Sequence, residues 1–466
     1  MIVIGGGLAG LSSAVALADH GCRVLLLEQR PFLGGRATSY VLPGGEHVDN
    51  CQHVTLGCCT NLDDFYRRAG AAGRIRFYDT LYFVDKRGRR GTIAPSFLPA
   101  PLHLAPSFAF LPIFTLSEKL EIAMGMRAVA REHARAAQPA GTMLEWLRDR
   151  GQTSRVIENF WRVVLVSALD EELDRTDAAC GIQVFWTAFL ASRRGFLVGI
   201  PSVPLAELYA GCRDAVERRG GEVRTRAVVR GIEIRDAAFS GVRLDDGAVL
   251  SADYCLASVP HTELLDLLPA ELVERQPAFA GLRNLRVSPI TGVHFWFDRP
   301  VMAEPFLTLL ERTTQWIFNK SVLSGPRPEP GASPGEQYLQ LVISASYGLV
   351  SRSRQEITEL CLADVHDVLP ASRDARLLKS TVIKETSATF SPAPGSDQWR
   401  PAQTSPVTNL FLAGDWTRTG WPATMEGAVR SGYLAAGAIL AAAGRPARLL
   451  QPDLQVAPLA RILSAL

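Results

Sequence analysis

The chain has 466 residues, 47% hydrophobic and 21% charged, an ordinary globular composition with room for two or three domains or one large domain with an insertion. Its 49 basic and 47 acidic residues leave a formal charge of +2, which argues against a general nucleic-acid binder, since those carry a basic face or stripe. Eight cysteines scattered without repeated spacing fit reduced thiols better than the disulfide framework of a short secreted chain. The opening MIVIGGG has no basic region or small-residue cleavage site, so a cytoplasmic protein is expected.

In chain order, MIVI reads as a short buried strand, GGGLAG as a glycine turn and LSSAVALADHG as a helix stopping at Gly21, followed by a second buried strand in CRVLLLE. This βαβ order predicts a parallel sheet. Residues 91–117 carry no charged side chain, but Pro95, Pro99, Pro101, Pro106 and Pro112 interrupt them, so a spanning helix is not expected. The preceding Lys86, Arg87, Arg89 and Arg90 leave two readings open for that segment. It dips into an anionic leaflet, or it covers an internal cavity; the two are compatible. Residues 117–180 read as helices, with Thr142 as an N-cap, and another amphipathic helix follows from 201. Alternating strands with a DDG turn occupy 222–260, and further strands are expected at ITGVHFWFD and YLQLVISAS, with PRPEPGASPGE between them as an exposed loop. NLFLAGDW then reads as a strand into a turn, ATMEGAVRSGYLAAGAILAAAG as a helix, and APLARILSAL as a membrane-contact helix or a packed end.

Gly5, Gly7 and Gly10 form G-x-G-x-x-G between a strand and a helix. The first allows the tight turn, the second lets a pyrophosphate approach the backbone, and the third lets helix and strand pack closely. The helix start offers free N–H groups and a positive dipole end. Glu28 closes the second strand, placed to accept ribose hydroxyls. The fingerprint alone does not choose between FAD and NAD.

EQRPFLGGRATSY, with Gly34, Gly35 and Arg36, resembles the second glycine motif of the FAD-dependent amine oxidase and phytoene desaturase superfamily, and LFLAGDWTRTGWPATMEGAVRSG resembles its C-terminal flavin block. The resemblance implies FAD as cofactor. Arg36 would neutralise diphosphate charge. Gly414 and Asp415 would lie at the ribityl–diphosphate part, and Thr424 and Met425 would start the helix under the pyrimidine ring. It further implies FAD contacts at Leu8, Ala9, Gln29, Arg30, Gly35, Gln52 and Val228. The implied fold is α/β. A Rossmann-like FAD-binding domain comes from residues 1–80, 200–285 and 395–445, an inserted α+β substrate domain from 81–199 and 286–394, and a tail from 446–466.

VDNCQHVTLGCCTNLDDFYRR, ENFWRVVLVSALDEEL, VHFWFDRPVM, TQWIFNK and GDWTRTGWPATMEGAVRSG together are similar to the hydroxysqualene dehydroxylase family, with Cys51 in place of the family glycine of VDNGQH. That resemblance implies loss of an allylic hydroxyl as water and hydride transfer from reduced flavin N5, giving squalene for hopanoid synthesis. The reaction needs a proton donor and a dry, electron-rich pocket. Residues 91–117 and 160–169 are expected to line a tunnel for the apolar isoprenoid, with Phe160, Trp161, Phe295, Trp296 and Trp316 as wall aromatics or plain core residues. His53 and Asp49 are the first candidates for the acid, and Glu385 is a third; the bland alternative is that Asp49 fixes the loop and His53 only packs. The partners implied are hydroxysqualene, the cytoplasmic face of a membrane, and an electron donor, either NAD(P)H or a reductase. Three other readings stay open: a desaturase or oxidase running electrons the other way on a carotenoid-like or amine substrate, a lipid-binding flavoprotein without turnover, and a zinc or thiol hydrolase built on Cys51, His53, Cys58 and Cys59, whose spacing matches no zinc pattern.

Overall fold

In the computed structural model, which describes residues 1–135, 139–324 and 335–465, the N-terminal apolar run becomes the middle of a parallel sheet. Ile2–Ile4 pairs in parallel with Leu25–Glu28 on one side and Cys255–Ala257 on the other. Glu222–Thr225 and Leu410–Leu412 complete the five strands at the two edges. Strands covered on both faces read as continuous apolar runs, as IVI, LLL, CLA and LFL do here. The helix Leu8–Asp19 is buried from Leu8 to Ala18 and packs on the helix Met425–Ala442. Their approach is close because one partner lacks a side chain: a Cβ on Gly432 would sit 2.4 Å from the Ala9 carbonyl oxygen. Thr424 caps the second helix, its hydroxyl accepting from Gly427 N–H at 3.0 Å.

A seven-stranded, mainly antiparallel sheet forms the second layer. Its order is Leu377–Phe390, Val287–Phe297, Gln337–Ile343, Trp316–Asn319, Phe306–Leu309, Leu81–Val84 and Arg90–Ile93. Side chains alternate across it. Ile317, Leu339, Leu341 and Ile343 pack with Ile357, Cys361 and Val365 of the helix Arg354–Val368, whereas Trp316, Phe318 and Val342 point to the opposite face. Most of the loop expected at 326–336 lies outside the described residues. The expected DDG turn joins Ala238–Leu244 to Val249–Leu250 in a three-stranded antiparallel sheet, with Gly247 at φ +86°.

The helical region starts at Leu116–His133 and Met143–Asp149, each opened by a reciprocal cap between a threonine and a glutamate, Thr115 with Glu118 and Thr142 with Glu145. Farther on, π-helical turns at Ile157–Trp161 and Trp186–Leu190 interrupt it, which apolar periodicity did not foretell. The proline-bent segment forms only short pieces, among them the helix Ala105–Ala109. It buries Leu111, Ile113 and Phe114 but leaves Phe97 and Phe110 91% and 87% exposed. Among the described residues no helix is long and apolar enough to cross a membrane. The tail helix Pro458–Ala465 packs on Leu116–His133.

One buried ion pair ties these layers together. Asp49 ends the strand His47–Asp49, and its carboxylate accepts from Lys320 Nζ at 2.8 Å, Ser39 Oγ at 2.7 Å and Leu205 N–H at 3.0 Å. Lys320 Nζ also donates to Gln52 Oε1 at 3.0 Å. Burial alone would raise the Asp49 carboxyl, but Lys320 and the two hydrogen bonds override it and hold the group below the usual carboxylate range. A depressed folded-state value means that the pair stabilises the fold above the unfolded pKa, about 4, and that this is lost as pH falls through the lower folded one. Lys320→Met strands a buried carboxylate and is expected to lower stability by about 3–5 kcal/mol in urea unfolding at pH 7. Adding Asp49→Asn to that variant restores most of the loss.

Candidate active site

A cavity of about 560 Å³ opens at the carboxyl ends of the parallel strands, where open α/β sheets place their ligands. Gly5, Gly7, Leu8 and Ala9 line it at the start of the first helix. Gly10 stands just behind them, and a Cβ there would fall 2.0 Å from the Gly5 carbonyl oxygen, so the turn demands glycine. Glu28 is held by Gly6 N–H at 2.6 Å on one oxygen and Arg30 N–H at 2.7 Å on the other. Gln29, Arg30, Gly35, Gln52, Gly414, Thr424 and Met425 also face the cavity. A helix start with open N–H groups, an anchored acid at the ribose position and a second helix start at Thr424 fit the diphosphate, ribose and pyrimidine parts of FAD.

Of the expected contacts, Arg36 gains a partner and Val228 is corrected. Arg36 lines the cavity, but its guanidinium donates to Asp415 Oδ1 at 2.8 Å and to the Ala388 carbonyl at 2.6 Å. Arginine carries five N–H donors, so this pairing orients Arg36 on the cavity wall and is compatible with the expected diphosphate contact. Val228 turns away, and its carbonyl accepts from Asp245 N–H at 3.0 Å. Extended backbone alternates, so it is Ala227 and Val229 that face the cavity.

The proton-donor candidates also change. Asp49 does not line the cavity, and its ion pair keeps it ionised. His53 does line it. Its Nδ1 lies 2.9 Å from the Cys51 carbonyl, which only accepts, so Nδ1 carries the proton. Burial lowers its pKa, so the imidazole is neutral at pH 7 and its Nε2 is an acceptor, a poor acid. Glu385 is on the wall, with Asn50 Nδ2 donating to it at 3.4 Å. Burial pushes the Cys51 thiol up to about 12, and the Cys58 thiol is raised by its hydrogen bond with Cys59 and by burial, so neither is a ready nucleophile. Among the described residues no three His, Cys, Asp or Glu side chains gather as a metal site.

One wall residue escaped the sequence. Asp170 follows the helix Arg162–Leu169 in left-handed conformation, φ +54°, and is 4% exposed. Its Oδ1 accepts from Ala345 N–H at 2.7 Å and its Oδ2 from Thr389 Oγ1 at 3.1 Å. Burial pushes its carboxyl up to about 8. The one signal was an aspartate at the end of an apolar helix, a position where Asp tolerates positive φ.

The rest of the wall is apolar. Val163, Val164 and Ala168 contribute from one helix, and Phe83, Trp316, Phe318 and Val342 from the seven-stranded sheet. Of the aromatics expected there, only Trp316 lines the cavity, its Nε1 donating to Ser167 Oγ at 2.6 Å. Trp161 and Phe295 are core residues, Phe160 packs between Phe108 and Phe185, and Trp296 stacks on Tyr338 at 4.6 Å. No residue of 91–117 lines the cavity, because the segment's apolar side chains pack beneath the helices or face outward.

Comparison with known proteins agrees with this geometry. The family described as flavin containing amine oxidoreductase matches residues 8–440. The chain is 27% identical to the 15-cis-phytoene desaturase of Capsicum annuum, over 94% of this chain and 77% of that one. It is 26% identical to that of Synechococcus elongatus, over 94% and 95%, and 27% identical to the zeta-carotene desaturase of Synechocystis, over 94% and 96%. In fold it is similar to an oxidoreductase from Methanosarcina mazei, at TM-score 0.73 and 18% identity over 94% of this chain and 99% of that one. It is likewise similar to a redesigned putrescine oxidase, at TM-score 0.73 and 15% identity over 95% and 98%. The chain belongs to the flavin-containing amine oxidoreductase family and is an FAD-dependent oxidoreductase of α/β fold.

Proposed function

We propose that the protein removes the allylic hydroxyl of hydroxysqualene reductively, giving squalene for hopanoid synthesis. The observation that carries this reading is where the family-like inner segments fall. VDNCQHV reaches the cavity through Asn50 to Val54, ENFWRVVLVSALDEEL through Val163, Val164, Ser167, Ala168 and Asp170, and TQWIFNK through Trp316 and Phe318. These segments build an apolar pocket next to the FAD groups. Such a pocket excludes water and lets the aromatic rings Trp316 and Phe318 face a developing allylic cation. Reduced FAD supplies the hydride. The chain's own part is to bind the isoprenoid, to keep the reacting carbon dry and to deliver a proton to the departing oxygen. Desaturation of a carotenoid-like substrate is the second reading, favoured by the phytoene and zeta-carotene desaturases among the relatives. Anaerobic, chemically reduced enzyme mixed with hydroxysqualene is expected to yield one squalene per flavin oxidised. Flavin reduction by phytoene in the oxidised enzyme, with no squalene formed in the first assay, favours the second reading instead.

The outer surface supports a peripheral site on an anionic membrane. Leu116, Leu120 and Met124 recur every four residues along one helix and are 75%, 59% and 64% exposed. Arg127 and Arg131, three and seven residues past Met124 on the same helix, are also exposed. Phe110 stands close to its apolar half, since Lys119 Nζ donates to the Ala109 carbonyl at 2.7 Å. Apolar side chains beside arginines suit insertion below charged headgroups. Sedimentation with vesicles containing phosphatidylglycerol is expected to carry the protein down, less so at high salt or with neutral vesicles. Replacing Phe110 and Leu120 by serine should weaken binding at least tenfold without changing the FAD content.

A further inference from the structure

The reductive reading requires an acid at the leaving oxygen, and neither residue first expected to act as one is suited to it. Asp170 meets the requirement on geometry. It lines the cavity directly after the apolar helix Arg162–Leu169, whose Val163, Val164 and Ala168 also line it, and it is hydrogen-bonded to Thr389 of the strand Leu377–Phe390. Its carboxyl accepts only neutral donors, Ala345 N–H and Thr389 Oγ1, and among the described residues no lysine, arginine or histidine pairs with it. Ser288 Oγ donates to its main-chain carbonyl, which fixes the left-handed turn. None of the largest influences on the Asp170 carboxyl is a positive charge; Arg175 lies over the Tyr347 ring at 4.6 Å, and Lys320 is paired with Asp49. Cys51 is a neutral thiol, and Glu171, next in the chain, is engaged by Tyr347 Oη at 2.6 Å. Nothing in this setting favours the ionised carboxylate strongly, and burial and Glu171 both oppose it.

We propose that Asp170 is the catalytic acid that protonates the departing hydroxyl, an inference that rests on the reductive reading above. The proton passes from the Asp170 carboxyl to the allylic oxygen, and the C–O bond breaks with its electron pair leaving as water. The carbon gains a hydride from reduced FAD, which is thereby oxidised by two electrons. The Asp170 carboxylate regains a proton from solvent. A neutral carboxyl suits this work better than a charged acid, because it enters the apolar pocket without a desolvated cation and is protonated at pH 7.

The test is single-turnover reaction of the full-length, FAD-loaded enzyme, reduced with dithionite and mixed anaerobically with hydroxysqualene. Squalene and flavin absorbance are followed together from pH 6 to 10. The wild-type rate is expected to be flat at low pH and to fall tenfold per unit above about 8. Asp170→Asn, isosteric and tolerant of the left-handed turn, should slow squalene formation by about 10²–10⁴-fold with FAD content unchanged. Thr389→Val removes a hydrogen bond that favours the carboxylate, so it should move the pH midpoint upward, a readout that does not depend on the Asn variant folding. An Asp170→Asn rate within about threefold of wild type, or a wild-type rate flat across the whole range, overturns the assignment while leaving the reductive reading standing. Wild-type enzyme that forms no squalene overturns the reading and the assignment with it.

Discussion

The contact between Asp49 and Lys320 is the constraint on which the site depends. It joins three parts of the chain that are remote in sequence: the loop from Asn50 to Val54, the helix start at Leu205 and the end of the strand Trp316–Asn319. Taking both charges out of water is costly, and the cost is offset by their mutual attraction and by the hydrogen bonds of Ser39, Leu205 and Gln52 around them. Its value is positional. With the carboxylate held on three sides, the main chain of Asn50 to Val54 is fixed against the seven-stranded sheet, where the Asp49 carbonyl also meets Gln340. A Cβ on Gly292 would lie 3.2 Å from the Asn50 carbonyl oxygen, so sheet and loop approach closely there. Every residue of the flavin-side wall in that loop inherits its position from this arrangement.

The cavity divides by chemistry along its length. At one end the groups are mostly main-chain N–H donors and anchored carboxylates, set by a parallel sheet whose helix starts converge there. At the other end the wall is built from one helix and one sheet face, both apolar, with the inward residues selected by the period of two along the strands. Asp170 and Glu385 both line this cavity, Asp170 at the end of the apolar helix and Glu385 beside Asn50 of the flavin-side loop. Burial separates them: Asp170 is 4% exposed and favoured in its neutral form, whereas Glu385 is only half-buried. Asp170 thus brings a usable proton to the apolar part of the cavity without bringing a charge there.

Much of this was legible in the order of residues. Gly5, Gly7, Gly10 and Glu28 act through main-chain geometry, which glycine spacing reports directly, and the apolar runs IVI and LLL marked the parallel sheet. What was not legible depends on partners far away in the chain. Nothing nearby in sequence revealed that Arg36 pairs with Asp415, 379 residues on. Asp49 looked catalytic because its neutralising lysine lies 271 residues away. Val228 was misplaced by one position, and in extended backbone one position reverses the side chain. The apolar segment 91–117 was long enough to line a tunnel, but its prolines folded it beneath and outside the helices. Asp170 carried no motif at all, and its character comes from burial among Ala345, Thr389 and Ser288, which belong to separate elements.

The central claim is the direction of electron flow: a hydride from the reduced flavin enters the carbon that loses its hydroxyl. The most direct measurement is a single turnover in D2O with enzyme reduced in D2O, so that flavin N5 carries deuterium, followed by mass and NMR analysis of the product. The account predicts squalene bearing one deuterium, on the carbon that lost the hydroxyl. Squalene without deuterium, or a product with an additional double bond, would contradict it.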